Sequence, residues 1–149
     1  HPMNDTDYMI LALSIAAKQQ GRTAENPAVG CVLVKHGEVI GQGATADGGR
    51  PHAETIALMS AGSEAHGATA YVTLEPCSHY GQTGPCANAL IEAGITACHI
   101  AVIDPDPRVH WRGAALMQEA GIDVKIGLCA EEAFAAHSDF FMRVSVEAN

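Results

Sequence analysis

Two short clusters carry residue types that do chemistry together. One is His52-Ala53-Glu54; the other is Cys77 and Cys86 at the two ends of Cys77-Ser78-His79-Tyr80-Gly81-Gln82-Thr83-Gly84-Pro85-Cys86. One imidazole and two thiolates form a donor set for zinc, and three protein ligands leave one tetrahedral position open, as a catalytic zinc requires. A water in that position has its pKa lowered to about 7, so hydroxide is available near neutrality. Two thiolates temper the metal's charge, so the water needs a general base, and Glu54 is placed to serve as one. The spacing makes a geometric demand. Residues i and i+2 lie roughly 200° apart on a regular helix. His52 and Glu54 therefore face one metal only if His52 sits at a helix entrance, where the backbone is not yet regular.

The surrounding pattern supplies such an entrance. Helical spacing of Met9, Leu13, Ala16 and Ala17 behind the capping candidates Asn4, Asp5 and Thr6 predicts a helix over 5–20. Pro27 biases Asn26 away from helix, leaving 22–27 as a loop. Strands are expected at 29–34 and 39–43 around a His36-Gly37 turn. A helix over 53–61 follows a Gly- and Pro-containing loop at 45–51. Beyond it, strands at 69–74, 99–103 and 123–126 alternate with helices at 86–93, 113–120 and 131–144. A hairpin followed by βαβ units implies a three-layer α/β/α sandwich around a mixed five-stranded sheet, with the later strands parallel. Ligands in such sheets sit beyond the strands' carboxyl ends, where loops 75–86 and 104–112 fall; loop 22–28 precedes its strand and must reach the pocket by side chains.

Composition narrows the class. The 149 residues, 48% hydrophobic, suit one domain, expected over residues 3–149. A formal charge of −9 with only 8 Lys+Arg argues against a nucleic-acid surface, though a local pocket can still take a small anion. No apolar run approaches the ~20 residues that span a bilayer. Five cysteines, an odd number, do not suggest a secreted disulfide framework, and a soluble protein of the reducing cytoplasm is expected. Cys31 and Cys98 fall on strands and read as core. His36, His66 and His137 read as solvent-facing. Phe134, Phe140, Phe141 and Val144 mark an apolar face of the last helix, as core or subunit contact.

Each of the four central residues has an ordinary reading, since a single Cys is commonly buried and a single His commonly at the surface or satisfied in the core. Their joint occurrence at strand–helix junctions favours a catalytic metal. Two alternatives remain: a closed structural zinc with His79 as fourth ligand, and a Cys77–Cys86 disulfide. The order resembles the zinc-deaminase signature H-x-E…P-C-x-x-C, except that the second cysteine comes nine positions after the first.

A narrower resemblance covers most of the chain. Asn26-Pro27-Ala28-Val29-Gly30-Cys31, Gly48-Gly49-Arg50-Pro51, His52-Ala53-Glu54, Thr73-Leu74-Glu75-Pro76-Cys77-Ser78-His79 and Asp104-Pro105-Asp106-Pro107-Arg108-Val109 resemble the deaminase domain of the bifunctional riboflavin-biosynthesis deaminase/reductases. The resemblance implies a cytidine-deaminase-like fold, one Zn2+ per chain and a phosphorylated pyrimidine as substrate, 2,5-diamino-6-ribosylamino-4(3H)-pyrimidinone 5′-phosphate. It implies His52, Cys77 and Cys86 as ligands, Glu54 as catalytic residue, and Asn26, His79, Gln82, Asp104 and Asp106 at the substrate. A homo-oligomer is expected, and no reductase domain within these residues. Gln82 replaces a cation common in the family. The phosphate is therefore expected on backbone N–H groups of the 78–84 loop, where Gly81 and Gly84 permit close approach, with help from Arg50, Arg108 or Arg112. Deamination of a free base or nucleoside and an inactive zinc scaffold are the alternative functions.

Overall fold

The computed structural model describes residues 2–78, 86–107 and 109–148, with the side chains of 145–148 left out. The sequence-predicted sites at His79 and Gln82, and the candidate cation Arg108, lie outside the described residues.

Alternation along the strands explains the layering. In β1 (Gly30–Lys35), Cys31 and Leu33 join one buried cluster while Val32 and Val34 join another. Successive side chains of a strand point to opposite faces, so both faces of this sheet must be covered. On the first face lie α2 (Ala53–Ala61), α3 (Cys86–Glu92) and α4 (Arg112–Glu119), contributing Ala53, Ala57, Leu90 and Met117. On the second lie α1 (Asp5–Ala17) and α5 (Ala130–Ala136), contributing Met9, Ala12 and Ala133. The result is the expected three-layer sandwich.

The five strands run in the order β2-β1-β3-β4-β5. β1 pairs antiparallel with β2 (Glu38–Ala44) and with β3 (Thr69–Val72); β3, β4 (Ala97–Ile100) and β5 (Asp123–Ile126) are mutually parallel. The β1–β2 turn places both His36 and Gly37 at positive φ (52° and 77°), the geometry that matches a hairpin's twist.

Small residues set how closely the helices approach. Gly41 and Gly43 on β2 lie under α2: a Cβ at Gly43 would stand 2.7 Å from the Ala53 carbonyl oxygen and 2.8 Å from the Ala57 nitrogen. Only glycine lets α2 rest directly on the strand, and α2 is the helix whose entrance carries His52. Gly113 likewise admits the Pro76 carbonyl against the start of α4.

Four expectations are corrected. α1 ends at Ala17, and the residues after it turn so that the Gln19 amide donates to Thr45 O and Asp47 Oδ1. β4 occupies 97–100, pulled N-terminal by its register with β3, where Ala97 faces Thr69. The single helix expected over 131–144 is two, α5 and α6 (Ser138–Ala148), broken at His137. His137 is buried, not solvent-facing, because that break turns its ring toward Thr73.

Candidate metal centre

The demand made by the His-x-Glu spacing is met in the backbone. His52 is the residue that caps α2, with extended φ −72° and ψ 160°, while Glu54 is in the first helical turn. Ala53 between them is fully buried against the sheet. Cys77 follows β3, and Cys86 opens α3. Two bonds tie these segments together: the Ala87 N–H donates to Cys77 O (2.9 Å), and the Cys86 N–H donates to Cys77 Sγ (3.2 Å).

His52 Nδ1 lies 3.3 Å from Cys86 Sγ and 3.9 Å from Cys77 Sγ, and the three donor atoms lie within 4.8 Å of one another. All five cysteines are free thiols, so Cys77 and Cys86 are not bridged. The electrostatics call for a cation. Cys77 is drawn down to about 4, first because the Cys86 thiol donates to it and further by His52 and the Cys86 N–H. Cys86 moves the opposite way, because Cys77 takes its hydrogen bond and burial penalises its charge. The pair thus gives up one proton readily and holds the second, a conflict that a divalent ion resolves by favouring both thiolates. His52, raised by its bond to Cys77, completes a donor set that fits one zinc ion.

Glu54 is 4% exposed, and burial pushes its carboxyl up to about 7. It lines a cavity of about 200 Å³ together with His52, Cys77, Asn26, Arg50, Asp104 and Asp106. Of the described sequence-predicted residues, the structure brings all but Cys86 to the lining of one cavity, and Cys86 reaches it through its contacts with His52 and Cys77. A larger cavity, about 340 Å³ between the 20–28 segment and α6, contains none of the cluster and shares only Asn26, Pro27 and Phe140 with it.

The rest of the lining rests on hydrogen bonds. Asn26 reaches the cavity because its Nδ2 donates to Gly49 O (2.8 Å), and Thr45 Oγ1 fastens the same loop by donating to Pro27 O and accepting from the Val29 N–H. Glu75, 6% exposed, organises the other loop. Its Oε1 accepts from the N–H groups of Asp104 and Trp111 (both 3.1 Å), and its Oε2 from the N–H of Ala114 (3.0 Å). A carboxylate at the start of α4 also meets the positive end of that helix. This role escaped sequence reasoning, in which Glu75 was only part of a motif. Phe140, read as core or subunit contact, lines the cavity from α6. The signal available was an aromatic on a helix following the last strand, which did not distinguish cavity from core.

Comparison with known proteins assigns the class. The chain belongs to the cytidine and deoxycytidylate deaminase family, whose zinc-binding-region model matches residues 2–102. Within it, the chain is 48% identical over 143 residues to the riboflavin biosynthesis protein RibD of Aquifex aeolicus, covering 96% of this chain and 40% of that protein. It is 45% identical to the diaminohydroxyphosphoribosylamino-pyrimidine deaminase of Buchnera aphidicola (subsp. Acyrthosiphon pisum), covering 95% of this chain and 97% of that one. The structure of Acinetobacter baumannii RibD superimposes with a TM-score of 0.91 at 45% identity, over 95% of this chain and 40% of that chain. The chain thus spans about 40% of the length of its RibD relatives.

Proposed function

We propose that this chain hydrolytically deaminates 2,5-diamino-6-ribosylamino-4(3H)-pyrimidinone 5′-phosphate to 5-amino-6-(5-phosphoribosylamino)uracil and ammonia, in riboflavin biosynthesis. The observation that carries the reading is the His52–Cys77–Cys86 cluster, whose His52 and Cys77 line the cavity that also holds the buried Glu54. The choice of substrate is supported by the Buchnera relative, matched over nearly its whole length.

In this reading His52, Cys77 and Cys86 are the zinc ligands, and zinc, when bound, supplies Lewis-acid activation of the attacking water. Glu54 takes a proton from that water as its oxygen bonds to C2 of the ring, and delivers it to the adjacent ring nitrogen. It then passes the second proton to the 2-amino group, the C2–N bond breaks, and ammonia leaves with a carbonyl in its place. A carboxyl poised near neutrality suits both halves of this relay. Asn26, Asp104 and Asp106 belong to the substrate pocket together with His79, and Gln82 lies toward the phosphate. We further propose a single deaminase domain over residues 3–149 that works as a cytoplasmic homo-oligomer. Neither nucleic acid nor membrane is a partner, in keeping with the net charge of −9 and with no described helix long and apolar enough to cross a membrane.

Ammonia release from the phosphorylated pyrimidine, compared with free pyrimidines and guanine, tests the reading. Turnover of the phosphorylated compound alone is expected; release from guanine but not from the phosphorylated pyrimidine would overturn it.

A further inference from the structure

The cavity above Glu54 is lined by four carboxyl groups: Glu54, Glu75, Asp104 and Asp106. A chain of net charge −9 adds to that field, which opposes entry of a dianionic phosphate unless a cation sits at the mouth. Among the described residues lining the cavity, the one Lys or Arg is Arg50, half-buried and two residues before His52.

Its own loop leaves that charge available. The loop's carboxylate, Asp47, is held in a two-pronged pair by Arg22, with Nε to Oδ1 at 3.0 Å and Nη2 to Oδ2 at 2.9 Å, and also accepts from Gln19. Both oxygens of Glu75 are occupied by three backbone N–H groups. The described ion pairs do not include Arg50.

The loop is also fixed in place. The Ala46 N–H donates to Pro51 O (3.1 Å), the Gly48 N–H to Arg22 O (2.8 Å), and Asn26 Nδ2 to Gly49 O. Gly49 lies at φ +98°, and a Cβ there would stand 2.6 Å from Asn26 Nδ2 and 2.7 Å from Thr23 O. Arg50 therefore leaves a tightly packed strap in extended conformation, beside the metal cluster. With the backbone already fixed, only side-chain rotamers remain to be ordered, and the guanidinium offers a planar fork that matches phosphate.

We infer that Arg50 is the specificity residue for the substrate's anionic arm: its guanidinium, the one Lys or Arg side chain among the described residues lining the cavity, takes the 5′-phosphate. The inference rests on the deaminase reading above. It gives Arg22–Asp47 a function as well, since that pair keeps the nearest acid of the loop from neutralising Arg50.

The test is the ratio of kcat/KM for the phosphorylated substrate to that for its dephosphorylated ribosyl analogue, in wild type, Arg50→Gln and Arg50→Lys. Wild type should favour the phosphorylated compound, and Arg50→Gln should lower the ratio at least tenfold. Arg50→Lys, which keeps the charge without the fork, should recover part of it. Direct titration with ribose 5-phosphate should show binding weakened at least tenfold in Arg50→Gln. Arg50→Met serves as a second neutral variant should glutamine impair folding. A wild type indifferent to the phosphate would overturn the substrate reading and this inference together. A phosphate preference that survives intact in Arg50→Gln would overturn the assignment to Arg50 alone.

Discussion

On the floor of the cavity, His52 and Glu54 come from one helix entrance, and Cys77 and Cys86 from two segments tied directly to each other. The rest of the lining forms the wall: Asn26, Arg50, Asp104 with Asp106, and Phe140 come from four separate segments. These are held in place by residues that do not face one another in sequence: Glu75, Thr45, and the Thr73–His137 pair. The floor is thus made by local chain geometry and the wall by tertiary hydrogen bonds. On the deaminase reading proposed above, the chemistry is set on the first and substrate recognition on the second. Substitutions in the two regions should fail differently.

The largest effect belongs to the floor. Cys77→Ala leaves His52 and Cys86 as two ligands, too few for a stable tetrahedral site. Metal analysis should fall from one zinc per chain to none, and turnover should vanish with it. Full zinc occupancy in this variant would mean that Cys77 is not a ligand.

The wall should lose stability and fit before it loses chemistry. In Glu75→Gln the amide oxygen can still accept from Asp104 and Trp111, but the NH2 then meets the Ala114 N–H, donor against donor. A loss of about 2 kcal/mol in unfolding free energy is expected, with KM raised more than kcat is lowered. Chemical denaturation and steady-state kinetics read the two effects; unchanged stability would show that the 104–114 segment does not depend on Glu75.

A smaller, pH-dependent effect should come from behind the wall. Burial lowers His137 from its usual 6.5 to about 4, so the folded ring is neutral; its Nε2 is hydrogen-bonded to Thr73 Oγ1 (3.0 Å), which itself accepts from the Gly30 N–H. Below pH 6.5 the unfolded chain binds a proton that the folded chain refuses. The stability that His137 contributes is therefore complete above 6.5 and is lost as pH falls toward 4, by up to about 3 kcal/mol. The stability gap between wild type and His137→Gln should narrow over that window. A constant gap would mean that His137 titrates normally in the fold.

The same contrast decides what could be read from the sequence. His52 was placed at a helix entrance because an i, i+2 pair facing one point admits no other regular solution, and the β1–β2 hairpin followed from its turn residues. The mixed sheet followed from the order of elements. Asn26, Asp104 and Asp106 came only through resemblance, since turn formation accounts for their residue types equally well. Glu75 reads in the sequence only as part of a motif and Phe140 only as core or subunit contact, because their roles depend on backbone groups and packing far along the chain. The break at His137 was hidden by apolar spacing that runs through both α5 and α6; what interrupts it is a buried imidazole bonded to Thr73, which no local pattern reveals.

Glu54→Gln addresses the central claim most directly, because it separates holding the metal from moving the proton. Zinc content and deamination rate should be measured on the same preparation. The account predicts one zinc per chain, as in wild type, and a kcat lowered at least about 100-fold, the lower end of what general acid–base catalysis supplies. Normal turnover with zinc in place would contradict it.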